Sequence, residues 1–101
     1  MAFTRIDVAK AQELIARNAL VVDIRDAESY AQGSIPGAIH LPGDMVGEFL
    51  EEADCTRPLI VCCYHGHASQ GAAAYFAHKG FEEIYSLDGG YEAWADSAGT
   101  S

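Results

Sequence analysis

Two stretches, "ALVVDIR" (19–25) and "PLIVCCY" (58–64), are apolar through their middles without alternation, and this constrains the architecture more than any other feature. A strand with one face in water alternates apolar and polar residues, so an unbroken apolar run implies a strand covered on both faces. Coverage of both faces follows when helices pack on either side of a parallel sheet. The intervening segments have helix length. "DVAKAQELIARN" (7–18) reads as helix with Asp7 as its candidate cap, and "DAESYAQG" (26–33) as one or two turns opened by Asp26 and closed by Gly33. "DMVGEFLEEAD" (44–54), "ASQGAAAYFAHKG" (68–80, ended by Gly80) and "GYEAWADS" (90–97) read as three more. "FTRI" (3–6) and "EIYSLDG" (83–89) are further strands. "IPGAIHLP" (35–42) is a short extended piece fenced by Pro36 and Pro42, where proline cannot serve a central ladder. The expected fold is a small doubly wound α/β domain with a mostly parallel sheet, one domain over residues 1–101.

In such sheets reactive groups collect at the carboxyl ends of strands, which is where "VCCYHG" falls. Between Cys63 and a helix beginning near Ala68 or Ser69 stand only Tyr64, His65, Gly66 and His67, and Gly66 is free to take a positive φ. A tight cradle results. Its amide N–H groups, with those of the first helical turn, converge just beyond the strand end. If the helix terminus contributes about 1–2 kcal/mol, a thiol there loses about one pKa unit and becomes nucleophilic without a base. Cys62 lies inside "LIVC" as a core filler, whereas Cys63 stands at the junction, so Cys63 is the expected nucleophile. With the amides pointing inward, the side chains of Tyr64, His65 and His67 are expected to radiate outward and line the mouth. A metal site from Cys62, Cys63, His65 and His67 has no recognised spacing behind it and is not expected. A cysteine phosphatase brackets its phosphate with an arginine six residues after the cysteine. Here that position is Ser69, and no Lys or Arg occurs between Arg57 and Lys79.

Charge and cysteine usage exclude other classes. Six basic against fifteen acidic residues give a formal charge of −9 without a basic cluster, which argues against nucleic-acid binding. The start, "MAFTRIDVAK", lacks the apolar core of a leader, and the longest apolar run, Leu59 to Tyr64, is too short for a membrane span. The three cysteines, Cys55, Cys62 and Cys63, are odd in number with two adjacent, which suits free thiols in a reducing, cytoplasmic compartment. No cofactor is called for.

Three segments together, "VVDIRDAESYAQGSIPGAIHLP", "VCCYHGHASQGAAAYF" and "YSLDGGYEAW", resemble the single-domain rhodaneses, and "CYHG" with "SLDGG" resembles the GlpE-type thiosulfate sulfurtransferases in particular. That resemblance implies a ping-pong reaction. The cysteine matching Cys63 takes the outer sulfur of thiosulfate or another sulfane-sulfur donor, and holds it as a persulfide. It then passes the sulfur to cyanide or to a thiol acceptor such as a thioredoxin. The loop Tyr64, His65, Gly66, His67, Ala68 and Ser69 would bind the persulfide through its amides, with the Ser69 hydroxyl as a further candidate donor. Many members carry a basic residue where this chain has Tyr64 and Ala68, which implies weak thiosulfate affinity and leaves another donor open. Ser34 replaces a common histidine in "GSIPGA", a motif read as architectural.

Asp23 and Arg25, at the end of the second strand, are expected to form a buried-edge ion pair or helix cap. Asp88, Gly89 and Gly90 are expected to supply a helix cap and a close backbone approach to the cysteine loop, and Tyr91 and Trp94 to belong to the core. Two function classes stay open: a sulfurtransferase, and a rhodanese-like persulfide carrier or interaction module with little turnover alone. Phosphatase or arsenate-reductase chemistry comes third.

Overall fold

The computed structural model describes residues 3–99, so Met1 and Ala2, which open the stretch read for a leader, and the last two residues lie outside it. The elements run β1 (Thr4–Ile6), α1 (Val8–Ala16), β2 (Leu20–Asp23), α2 (Ala27–Gln32) and β3 (Ile39–His40). A 3-10 turn at Gly43–Met45 then leads into α3 (Val46–Glu52), followed by β4 (Leu59–Cys62), α4 (Ala68–His78), β5 (Ile84–Leu87) and α5 (Gly90–Gly99). The five strands form one sheet in the order β1-β5-β4-β2-β3, and every pairing is parallel. The two unbroken apolar runs therefore occupy the interior of the sheet, and the proline-fenced piece is its edge.

Alternation along β4 shows why those runs are continuous. Ile60 and Cys62 face a cluster with Ala11 and Leu14 of α1, Ile35, Ala38 and Leu87, against which Tyr91 and Trp94 of α5 pack. Leu59 and Val61 face the other side, with Ala73 and Phe76 of α4, Phe81, and Phe49 of α3. Each such side chain taken from water contributes about 1.5–3 kcal/mol, so both layers are needed for a chain this short. Among the described residues no helix is long and apolar enough to cross a membrane.

The element ends follow local chemistry. Asp7 caps α1 by accepting the Lys10 N–H at 2.9 Å. That helix stops at Ala16, two residues short of the expected Asn18, because Asn18 adopts φ +77°, a left-handed turn that asparagine tolerates. Asp26 caps α2 through the Ser29 N–H at 3.0 Å. The expected helix 44–54 begins as a 3-10 turn and becomes α-helical only from Val46.

Candidate active site

Cys63 is the first residue beyond β4, and Tyr64, His65, Gly66 and His67 carry the chain from it into α4. The Gly66 N–H points at the Cys63 sulfur at 3.2 Å, and the Ser69 N–H at 3.3 Å. His67, the residue before α4, makes no side-chain cap hydrogen bond. The sulfur thus takes an otherwise orphaned N–H of the helix's first turn, the role a capping oxygen usually plays. Gly66 reaches this geometry with φ +92°, and a Cβ there would sit 2.8 Å from the Gly89 nitrogen. Glycine is required on both counts.

Exposure does not separate the two adjacent cysteines: Cys62 is 0% exposed and Cys63 2%. Their surroundings do. The Cys62 sulfur lies in an apolar cluster, and burial, then the nearby Asp23 charge, push its thiol up to about 12. Burial also works against the Cys63 thiolate. The Ser69 hydroxyl and the N–H groups of Ser69, Gly66 and His65 outweigh it, and hold that thiol below its ordinary value.

The loop side chains Tyr64, His65 and His67 are exposed, as is Ala68, while Gly66 and Ser69 are buried. Tyr64 donates its hydroxyl to the Asp26 carboxylate and accepts the Asp26 N–H at 3.1 Å, which ties the loop to the start of α2. The Asp26 carboxyl is held far below the usual carboxylate range, first by Tyr64 and then by the Ser29 N–H. The His65 Nδ1 lies 3.0 Å from Glu92 Oε1 in the first turn of α5. Neither ring contacts the sulfur through a hydrogen bond. The Ser69 hydroxyl lies 2.7 Å from that of Ser86 on β5.

A backbone wall closes the other side. The Tyr91 N–H donates to the Cys63 carbonyl at 2.7 Å and the Glu92 N–H to that of Tyr64 at 3.3 Å. A Cβ on Gly90 would stand 2.5 Å from the Cys63 carbonyl oxygen, and Gly90 has φ +60°. The expected close approach of Gly89 and Gly90 is present. The cap expected of Asp88 is a correction: its carboxylate bonds Arg5 Nε on β1 at 2.8 Å, and the Gly89 carbonyl takes the first helical N–H, from Ala93. Asp88 stands one residue too early to cap, because Gly89 completes the turn.

Asp23 and Arg25 form a fully internal ion pair. Arg25 Nη2 is 2.7 Å from Asp23 Oδ2 and 2.7 Å from the Gly33 carbonyl, and the guanidinium lies 4.3 Å from the centre of the Tyr91 ring. This pair joins β2, the "GSIPGA" corner and α5. It sits beside Cys62, whose titration it affects, and it makes no hydrogen bond to the Cys63 sulfur. An apolar groove of about 400 Å³, lined by Ile24, Leu41, Val46, Ala72, Tyr75 and Phe76, opens on the α3 and α4 side and includes no loop residue from 63 to 69. Among the described residues no three His, Cys, Asp or Glu side chains converge as a metal site would.

Sequence reasoning passed over Ser86 and the partners Asp26 and Glu92. For Ser86 a signal existed: in "IYSL" it occupies the same face of the strand as Ile84, an inward position that favours an apolar residue. For Asp26 and Glu92 none existed, since their partners lie 38 and 27 residues away.

A sequence profile of the Rhodanese-like domain matches residues 7–97. The chain is 54% identical over 92 residues to the thiosulfate sulfurtransferase GlpE of Ectopseudomonas mendocina, covering 91% of this chain and 84% of that protein. It is 51% identical, with the same coverage, to the protein of that name from Pseudomonas paraeruginosa. A rhodanese-related protein of Thermoplasma volcanium has a similar fold, with a TM-score of 0.81 at 24% identity over 94% of this chain and 93% of that one.

Proposed function

The chain belongs to the rhodanese-like domain family, and on that premise we propose that it is a thiosulfate sulfurtransferase that carries sulfur as a persulfide on Cys63. The observation that carries this reading is the ring of N–H donors from Gly66 and Ser69 on a sulfur that has no basic side chain hydrogen-bonded to it. The Cys63 thiolate attacks the outer sulfur of thiosulfate. The sulfur–sulfur bond of thiosulfate breaks with its electron pair leaving on sulfite, and the persulfide anion inherits the negative charge. The loop amides stabilise the charge in both states, so they need not reorganise between the half-reactions. Cyanide or an acceptor thiolate, such as that of a thioredoxin, then takes the terminal sulfur and returns the Cys63 thiolate. Thiocyanate or a new persulfide leaves.

The domain spans residues 1–101 in this reading, which the match over 7–97 supports. Free thiols at Cys55, Cys62 and Cys63 support a reducing, cytoplasmic setting. The net charge of −9 argues against nucleic acid and anionic membrane as partners.

A second reading, a persulfide carrier loaded by a partner protein, draws on the rim. The carboxylates of Asp26 and Glu92 are hydrogen-bonded to Tyr64 and His65, and the loop has no Lys or Arg, so the thiosulfate dianion meets an acidic mouth. Intact-mass measurement after incubation with saturating thiosulfate separates the two. The expected result is gain of one sulfur atom with release of one equivalent of sulfite, and loss of that sulfur on adding cyanide. A folded protein that gains no sulfur from thiosulfate but does gain it from an organic persulfide overturns the transferase reading and supports the carrier.

A further inference from the structure

Beneath the loop, the contact between α4 and the sheet is apolar except at one place. The inward face of α4 carries Ser69, Ala73 and Phe76, and the matching face of β5 carries Ile84 and Ser86. Ser69 and Ser86 are both 0% exposed, with their hydroxyl oxygens 2.7 Å apart. Two alanines would fill this space without desolvating a polar group, so packing gives no reason for the pair. The Ser69 N–H donates to the Cys63 sulfur at 3.3 Å, and the hydroxyl of the same residue is the foremost of the hydrogen-bonding groups that hold the Cys63 thiol below its ordinary value.

Counting hydrogens makes the arrangement specific. Two hydroxyls carry two hydrogens, and one O···O contact uses one of them. If Ser69 donates to Ser86, it has no hydrogen left for the sulfur. If Ser86 donates to Ser69, the Ser69 hydrogen is free, and an anionic sulfur beside it is the strongest acceptor in reach. A negative charge on the sulfur therefore selects the order Ser86 to Ser69 to Cys63. We propose that Ser86 is a positioning residue of this site: by donating to Ser69 Oγ it keeps the Ser69 hydroxyl aimed at the Cys63 sulfur whenever that sulfur is anionic. No bond forms or breaks and no proton leaves its oxygen; only the direction of two O–H bonds is fixed. Each donor in the chain polarises the next, so the sulfur feels a residue that does not touch it. The inference rests on the reading of Cys63 as the working thiolate.

The test is the pH dependence of alkylation by iodoacetamide, followed at the Cys63 peptide by mass spectrometry, in wild type, Ser69→Ala, Ser86→Ala and the double variant. Serine to alanine removes one atom, and thermal unfolding of each variant checks that the fold is kept. Ser86→Ala is expected to raise the apparent pKa by about half a unit, about a threefold loss of thiolate below it. Ser69→Ala should raise it at least as far, and the double variant no further than Ser69→Ala alone. A Ser86→Ala profile that is unchanged or shifted downward, or a double variant showing the sum of both shifts, overturns the proposal. Alkylation needs no sulfur donor, so the two readings fail separately. An unshifted profile with normal sulfur uptake removes only the relay, whereas a shifted profile without sulfur uptake removes the transferase.

Discussion

Cys63→Ser is expected to lower thiocyanate formation from thiosulfate and cyanide by about four orders of magnitude or more, the scale on which enzymes lose activity with their nucleophile. Cys62→Ser, one residue away, is expected to keep most of the activity. The contrast is not one of access, since both residues are buried. It lies in what surrounds each sulfur. Cys62 is set among Ile60, Leu87 and Leu14, with a thiol pushed up to about 12 and a single weak contact, to the Cys63 carbonyl at 3.6 Å. Forming its thiolate at neutral pH is prohibitive. Cys63 has donors arranged for an anion, and serine there supplies an alkoxide precursor too weakly acidic to use them. Serine at Cys62 brings a hydroxyl into an apolar cluster and is expected to cost about 1–3 kcal/mol of stability while leaving the loop in place. Steady-state thiocyanate formation checks both variants, and comparable loss in the two would mean that the loop geometry does not decide which sulfur works.

Arg25→Met is expected to destabilise the fold by about 3–5 kcal/mol, the range found when one member of a buried ion pair is removed. Asp23 is 0% exposed, and its carboxylate accepts from Arg25 Nε, Nη2 and backbone N–H. Without the guanidinium it keeps one backbone donor and its charge. The variant also strips the Gly33 carbonyl of a donor and uncovers the Tyr91 ring, so the corner before β3 and the start of α5 loosen together. For a domain whose whole stability is about 5–15 kcal/mol, this approaches unfolding. The double variant Asp23→Leu with Arg25→Met removes both charges, and is expected to recover most of the loss, because matched apolar residues replace buried pairs at little net cost. Denaturant unfolding of the single and double variants measures the difference. A single variant as stable as wild type would show that the pair is solvated in solution.

What the sequence reveals and what it hides divide along the range of the interactions. Unbroken "LVV" and "LIVC" runs show buried parallel strands because side-chain burial is written locally, residue by residue. The separation of Cys62 from Cys63 is also local: it follows from where β4 must stop for four residues to reach α4. The left-handed Asn18 that ends α1 early is harder, since asparagine within a helical pattern only permits such a turn. Ser69 with Ser86, Tyr64 with Asp26 and Arg25 with Tyr91 are out of reach, since each joins elements whose adjacency depends on the sheet order β1-β5-β4-β2-β3. The cap expected of Asp88 fails on an equally fine point. A cap is set by the residue next to the first helical one, and with α5 starting at Gly90 that place belongs to Gly89, whose carbonyl takes the Ala93 N–H.

The central claim is that backbone amides, not a histidine base, activate Cys63. The direct measurement is the rate of Cys63 alkylation against pH in the folded protein, in the urea-unfolded chain and in His65→Ala. In the folded protein the inflection is expected below that of the unfolded chain, because the donors from Ser69, Gly66 and the His65 backbone outweigh burial. His65→Ala should leave it nearly unmoved, since the imidazole is exposed and paired with Glu92 while the His65 N–H survives the substitution. An inflection at or above that of the unfolded chain, or one that His65→Ala returns to the free-thiol range, would contradict the amide cradle and establish a cysteine–histidine pair in its place.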